Sequence, residues 1–359
     1  MTGSEGFITI DFPTAVQVVL LGFVGGVMSG FVGTGGAFFM TPGMMNLGVP
    51  GVIAVGSNIA HKFGKALMGA KKHSEMGHVD KKLGLLMLIT ALIGVRLAVW
   101  LNQKILDLGS GTHGEGMNSA AGDLYISGIF VCVLSIVAVA VLSDAVIAGG
   151  RGKGPSTRLA EAFSKVKIPP LVVLETADVK LSFWVIALVG FVTGYLAGTI
   201  GAGGFVGIPA MIYIFGVPAA VAAGTELYLA IFMGAWGAIN YAWGGFVDLR
   251  LALLLYLGSL SGIYIGAYGT KVLTEKIIRM ATGGIILLSV LSRALNIPVY
   301  LHELDWVRLG SGTVSGFALT SKLVLFASGI AGVAFILAAV FRAYARRRRV
   351  QELLDRIGT

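Results

Sequence analysis

"GFVGTGGAFFMTPGMMNLGVPG" at residues 30–51 and "GTIGAGGFVGIPAMIYIFGVPA" at residues 198–219 are nearly the same run of residues written twice. Glycine and proline ordinarily punctuate loops, yet both copies sit inside long apolar stretches. Hydrocarbon offers no water to a freed backbone N–H or C=O. A helix interrupted there survives only where protein or a water-filled cavity surrounds the break. Short Gly/Pro-interrupted segments at matching places in two halves of a chain are the sequence mark of a central binding site in a transporter. This one pair of segments therefore bears on both fold and function.

The rest of the chain supports a membrane setting. Of its 359 residues, 56% are hydrophobic and only 13% charged, against about 25% charged in soluble domains, and the mean hydropathy is +0.86. Runs such as "LLMLITALIGV" do not alternate, so helices are expected rather than a barrel. Eleven candidate spans are read at about 14–32, 36–49, 51–70, 83–101, 123–147, 182–200, 203–216, 218–241, 249–268, 277–295 and 317–341. No basic residue precedes the first and no small-residue cleavage site follows it, so it is expected to be a span and not a removed signal peptide. The single Cys132 allows no internal disulfide.

Charge sets the expected orientation. Lys62, Lys65, Lys71, Lys72, Lys81 and Lys82 cluster at one connection, and six more Lys and Arg fall at 149–181. Lys271 and Lys276 share a short connection, and Arg342 and Arg346 to Arg349 follow the last span. The residues before 14, and the loops at 102–122 and 296–316, are poor in Lys and Arg. With the N-terminus outside and the C-terminus in the cytoplasm, every basic stretch falls inside, provided 36–49 and 203–216 change sides. Trp100, Trp243 and Trp306 then lie near the outer interface and Trp184 near the inner one. The net charge of +9 thus reads as cytoplasmic loops, with no nucleic-acid partner expected. Residues 149–181 read as a cytoplasmic linker with a short helix around "TRLAEAFSKV". The arginine tail with "VQELLDRI" reads as an anchor or as an amphipathic helix on anionic lipid.

A shift of 168 residues brings Gly22-Phe23-Val24 onto Gly190-Phe191-Val192, and Gly33, Gly35 and Gly36 onto Gly201, Gly203 and Gly204. It also brings Gly48-Val49-Pro50 onto Gly216-Val217-Pro218, and Gly77-x-Val79-Asp80 onto Gly245-x-Val247-Asp248. The chain is read as a duplication. With five spans in the first half, the repeats are expected to be inverted. The fold class is thus an all-α integral membrane protein of two inverted repeats with broken helices, plus an extra C-terminal span. Its divisions are 1–148, the linker 149–181, 182–295, and 296–359.

The glycines admit positive φ and close backbone approach. The half-helices that follow present free N–H groups and a positive dipole, which suits an anion. The expected substrate ligands are Gly33, Gly35, Gly36, Ser57, Asn58, Gly201, Gly203, Gly204 and Thr225, the hydroxyls and the amide donating to anionic oxygens. Glu226 is costly in hydrocarbon and is a candidate proton carrier, or else a structural partner of Arg96 or of a backbone donor. Lys62 and Lys65 share a helix face and either draw anions to the pathway or snorkel to the surface; snorkelling competes for Arg96 too. His73 and His78 are not spaced as metal ligands. The required Gly-x-Gly-x-x-Gly of a Rossmann turn is absent from both copies, and nothing resembles a catalytic triad or a P-loop.

The doubled Gly-x-Gly-Gly-x4/5-Pro, the Ser57 and Thr225 positions and the Gly-x-Val-Asp preceding the next span resemble the sulfite exporter TauE/SafE family over about residues 14–295. The Gly-Gly to Pro spacing is five residues in the first copy and four in the second, "SNIAHKFGK" is more basic than the family's usual run, and the span at 317–341 lies outside the resemblance. The resemblance implies a bacterial inner-membrane permease, a secondary carrier of sulfur-containing anions or small organic acids such as sulfite or sulfoacetate. The expectation is a non-enzymatic transporter without cofactor or metal. It would bind a small anion in the lipid bilayer by alternating access, with protons as a possible coupling ion. An anion channel, or a membrane anchor or sensor without transport, are the alternatives.

Overall fold

The computed structural model describes residues 9–32, 35–110, 119–147, 168–174 and 179–357. Among the described residues there are eleven helices, one for each expected span. In the first half these are α1 (Phe12–Val32), α2 (Ala37–Asn46), α3 (Gly51–Glu75), α4 (Lys81–Ser110) and α5 (Ala120–Ile147). The second half holds α6 (Phe183–Ile200), α7 (Gly204–Tyr213), α8 (Ala219–Trp243), α9 (Leu249–Val272), α10 (Glu275–Glu303) and α11 (Ser311–Ile357).

Eight of these are long and apolar enough to cross a membrane, and the three that are not are informative. The ten residues each of α2 and α7 rise about 15 Å, half the hydrocarbon thickness. The expected spans 36–49 and 203–216 are therefore half-helices completed by non-helical backbone. Residues 37–45 are all buried, as irregular backbone at membrane depth requires. By contrast α3, at 25 residues, is long enough; its interior His61, Lys62 and Lys65 make it too polar. Leu188, Ile239, Leu253 and Ile330 are exposed, while Ser57, Asn58, Thr225, Glu226 and Arg293 are buried. An apolar exterior around a polar interior is that of an integral membrane protein.

Glycines set the packing. A Cβ on Gly22 or Gly26 would lie 2.5 Å from the carbonyl oxygen of Leu255 or Ser259 on α9, and one on Gly30 would meet that of Ile263. On the other side, Cβ atoms on Gly190, Gly194 and Gly198 of α6 would meet the carbonyl oxygens of Met87, Ala91 and Val95 on α4. Every residue in the second ladder has its counterpart in the first at the 168-residue offset. Backbones meet this closely only where small residues line the seam. Helix α3 packs on α8 and α5 on α10, each on its own counterpart. The extra helix α11 lies against α1, α2, α9 and α10.

Two features depart from the sequence reading. Part of the expected linker is a β-hairpin, β1 (Leu171–Leu174) pairing antiparallel with β2 (Val179–Ser182), Leu171 opposite Ser182. It feeds α6 directly, with Ser182 Oγ accepting the Trp184 N–H at 3.3 Å. The helix expected around "TRLAEAFSKV" lies outside the described residues. At the C-terminus, the arginine tail and "VQELLDRI" continue α11 without a break, giving 47 helical residues.

Candidate functional site

The two breaks face each other. Helix α1 ends at Val32 and α2 starts after Gly36; helix α6 ends on Gly201 in the left-handed conformation (φ 75°) and α7 starts after Gly203. Neither half-helix start carries a side-chain cap; the N–H groups of Phe39, Phe205 and Val206 donate to the carbonyls of Gly36, Ala202 and Gly203, and the N–H groups ahead of them are the ones open to another acceptor. The first turns adjoin: Phe38 of α2 and Phe205 of α7 meet edge to face, their centroids 4.8 Å apart. Thr41 Oγ1 donates to the Ile200 carbonyl at the end of α6 (3.3 Å), and Asn58 Nδ2 of α3 donates to Thr41 Oγ1 (2.8 Å). Asn58 thus sits at the second break while belonging to the first half.

The glycines of the breaks divide by surroundings. Gly35 has φ 92°, and no atom lies within 4 Å of where its Cβ would be. A Cβ on Gly36 would run into the Gly25 carbonyl, and one on Gly203 would lie 2.6 Å from the Thr193 carbonyl. Those two clamp each half-helix to the helix before it. A Cβ on Gly201 would come within 3.1 Å of Asn58 Nδ2. Gly204 is the buried first residue of α7. Gly33 lies outside the described residues.

Ser57 and Thr225 have a structural use that their positions did not announce. The Asp248 N–H donates to Ser57 Oγ at 2.9 Å, and the Asp80 N–H to Thr225 Oγ1 at 3.0 Å. Each hydroxyl holds the Gly-x-Val-Asp turn of the opposite half, and the two bonds are counterparts at the same offset. As acceptors in these bonds, both hydroxyls keep a proton to donate elsewhere.

Charges converge on the same region. Glu226, in the sequence position equivalent to Asn58, is 3% exposed, and neither carboxylate oxygen has a hydrogen-bond partner among the described residues. Its Oε2 occupies the place a Cβ on Gly207 would take, in the first turns of α7, and Thr193 Oγ1 nearby is buried and unpartnered too. The charged group whose field reaches Glu226 is Lys62. Lys65 Nζ donates to Ser29 Oγ near the end of α1, which holds it in the interior instead of snorkelling. His61 Nε2 and Ser259 Oγ are 2.8 Å apart, the imidazole lying against Tyr256. Because α3 runs on to Glu75, Lys62 and Lys65 sit at mid-helix and not near its inner end.

Arg96 stands apart. Its Nη1 donates to Asn240 Oδ1 at 2.8 Å, and its side chain lies on the lipid-facing exterior. It does not pair with Glu226. Ser29, Thr41 and Thr193 escaped the sequence reading, since a small hydroxyl in an apolar helix gives no signal until its neighbours are known. Arg293 is a further omission. It is fully buried on α10, donating to Asn46 Oδ1 at the end of α2 and to Tyr300 Oη at 3.1 Å. Asn296 and Ser321 extend that network to α11.

The arrangement brings two half-helix starts, the Asn58 amide and the buried Glu226 carboxyl together, with Lys65 bonded to Ser29 on the helix that leads into the first break. Comparison with known proteins agrees in kind. The family model described as "Sulfite exporter TauE/SafE" matches residues 18–293, ending within α10. The chain is 28% identical over 285 residues to "Probable membrane transporter protein YjnA" of Bacillus subtilis (strain 168), covering 77% of this chain and 98% of that protein. It is 23% identical over 271 residues to "Probable membrane transporter protein YdhB" of the same organism, covering 74% and 94%.

Proposed function

The chain belongs to the sulfite exporter TauE/SafE family and is a membrane transporter, not an enzyme; from that premise we propose that it is a secondary carrier of a small sulfur-containing or organic anion, such as sulfite or sulfoacetate, working by alternating access. The observation that carries the reading is the junction of two uncapped half-helix starts with Lys62, Lys65 and a Glu226 that has no hydrogen-bond partner among the described residues. Fixed N–H dipoles and ammonium groups replace the hydration shell of an anion, and low polarity around them strengthens the attraction. The substrate is held by the backbone near Gly35, Gly36, Gly203 and Gly204, with Asn58 and the hydroxyl protons of Ser57 and Thr225 as further donors.

Glu226 is the proposed proton carrier. A charged carboxylate beside an anion repels it, whereas a protonated one does not, so proton and anion occupancy are linked. The uneven spread of Lys and Arg supports reading the two halves as inverted repeats, with the N-terminus outside, the C-terminus in the cytoplasm and the protein in a bacterial inner membrane. Rocking of one half against the other would open the junction to each side in turn.

A thermal-shift panel of sulfite, thiosulfate, sulfoacetate, sulfate and carboxylates on the purified protein identifies the ligand, with stabilisation expected from sulfur oxyanions of low charge. Counterflow of the labelled best ligand into proteoliposomes then tests the mechanism. Saturable exchange is expected, accelerated by unlabelled ligand on the far side. Unsaturable flux indifferent to trans ligand would make the protein an anion channel.

A further inference from the structure

Helices α4 and α8 run side by side in the same direction, Gly84 facing Tyr228, Gly237 facing Val95, and Arg96 reaching Asn240. On their outward side they form a groove of about 490 Å³ lined by Leu92, Ile93, Arg96, Leu97, Trp100 and Trp236. Apart from Arg96 and the indole N–H groups, this surface is hydrocarbon and faces lipid. We propose that the groove is a binding site for one anionic phospholipid, its phosphate on the Arg96 guanidinium and one acyl chain lying along Leu92, Ile93 and Leu97.

The argument begins with an unbalanced charge. A guanidinium on the lipid face of a helix is costly unless it reaches the interface or meets an opposite charge. Arg96 donates to the neutral amide of Asn240, and no carboxylate among the described residues lies within 4 Å of its guanidinium. A guanidinium has five donors in a planar fork, and a phosphate matches that fork with two oxygens.

Depth fits the same ligand. Asn240, which draws the guanidinium upward, is three residues from the end of α8, about 5 Å by helical rise. Trp243 at that end is 92% exposed, and Trp100, one turn beyond Arg96, is half-exposed. Tryptophans of this kind mark the headgroup level of a bilayer. The cation therefore lies just beneath the headgroups, with Trp100 one turn above it and the groove descending about one turn from it to Leu92, toward the bilayer centre. A soluble anion would find a charge but no use for the groove, whereas a phospholipid uses both. The groove is also separate from the proposed transport junction, because Arg96 bonds Asn240, which lies about 21 Å by helical rise along α8 from Glu226.

The test is native mass spectrometry of the full chain in mild detergent, titrated with phosphatidylglycerol. The wild type should retain one lipid, and Arg96→Gln should weaken retention roughly fivefold, the order set by one cation at an anionic lipid surface. Ile93→Trp, which fills the groove and leaves the charge in place, should weaken it too. Arg96→Lys should recover part of the loss, which distinguishes a lost headgroup contact from a misfolded variant. Equal retention by Arg96→Gln and wild type overturns the proposal. So does competition by glycerol phosphate at the concentration of the lipid, which would make this a free-anion site. A lipid-free dimer that dissociates in Ile93→Trp would give the groove to a second copy of the chain.

Discussion

Glu226 is the residue on which coupling turns. Its two oxygens have no hydrogen-bond partner among the described residues, and the rival partner, Arg96, is bonded to Asn240 on the exterior. Glu226→Gln mimics the protonated state. Accumulation driven by a proton gradient should collapse to the passive ratio, while counterflow, which moves no net proton, should persist at the wild-type order. Accumulation that survives would move the coupling role elsewhere. The glycines at the breaks give a second prediction at this scale. Gly35 borders open space but holds φ 92°, so Gly35→Leu carries a strain of about 1–2 kcal/mol, which the fold can absorb. Its side chain would fill the volume beside the half-helix start, and transport should be lost from a protein that still purifies as a monodisperse species. Gly203→Ala differs, because its Cβ would press on the Thr193 carbonyl 2.6 Å away. A cost of about 1–3 kcal/mol follows from such overpacking, seen as a lower melting temperature before any effect on transport. If Gly35→Leu transports normally, the first break is a packing device and not a site.

Among elements, the two half-helices are not held alike. The end of α2 is fastened by Arg293, Ser292 and Asn296 of α10 and by Ser321 of α11 through Asn46. At the position of Asn46, the second half has Ile214, whose apolar side chain can make no such bonds. Removing Arg293 should therefore loosen α2 and leave α7 alone. Arg293→Ala should cost about 2–4 kcal/mol through its cavity and the bonds lost, and Arg293→Met, which keeps the volume, distinctly less. Scanning fluorimetry of the two variants checks the order; equal melting temperatures would mean the network adds nothing beyond its bulk. This lock was invisible in the sequence, where Arg293 follows an apolar run and Asn46 precedes a Gly-Val-Pro turn, 247 residues apart. What could be read were the properties that hydrocarbon imposes locally: span lengths, breaks at Gly and Pro, and the repeat itself. Pairings between distant helices could not be read, so Ser57 and Thr225 stood out as polar residues in spans with no hint that each holds the opposite half's turn. The hairpin at β1 and β2 was missed for a related reason. "PPLVVLETADVKLS" reads as linker by its proline and charge, and its strands pair only with each other.

At the scale of the whole molecule, the matched glycine ladders, the Ser57 and Thr225 bonds and the self-paired α3–α8 and α5–α10 contacts all obey one operation, an exchange of the halves. Such an operation relates two halves of a membrane protein in only two ways, by an axis along the membrane normal or by one in its plane. The first keeps equivalent ends on one side of the bilayer, and the second puts them on opposite sides. Charge argues for the second. The end of α3 carries Lys71 and Lys72, suited to a cytoplasmic surface, whereas α8 carries Tyr241 and Trp243 at its equivalent end and no Lys or Arg along its length. Glu75 and Trp243 close these two helices at equivalent positions, and both are exposed. Cysteines placed there one at a time, in a chain with Cys132 replaced by alanine, should react with a membrane-impermeant maleimide from opposite sides. Trp243→Cys should be labelled in intact cells, and Glu75→Cys only after the membrane is opened. Labelling of both from the same side would require an axis along the normal. The two half-helix starts would then point the same way across the bilayer, and an anion site closed from both sides by their dipoles would have no basis.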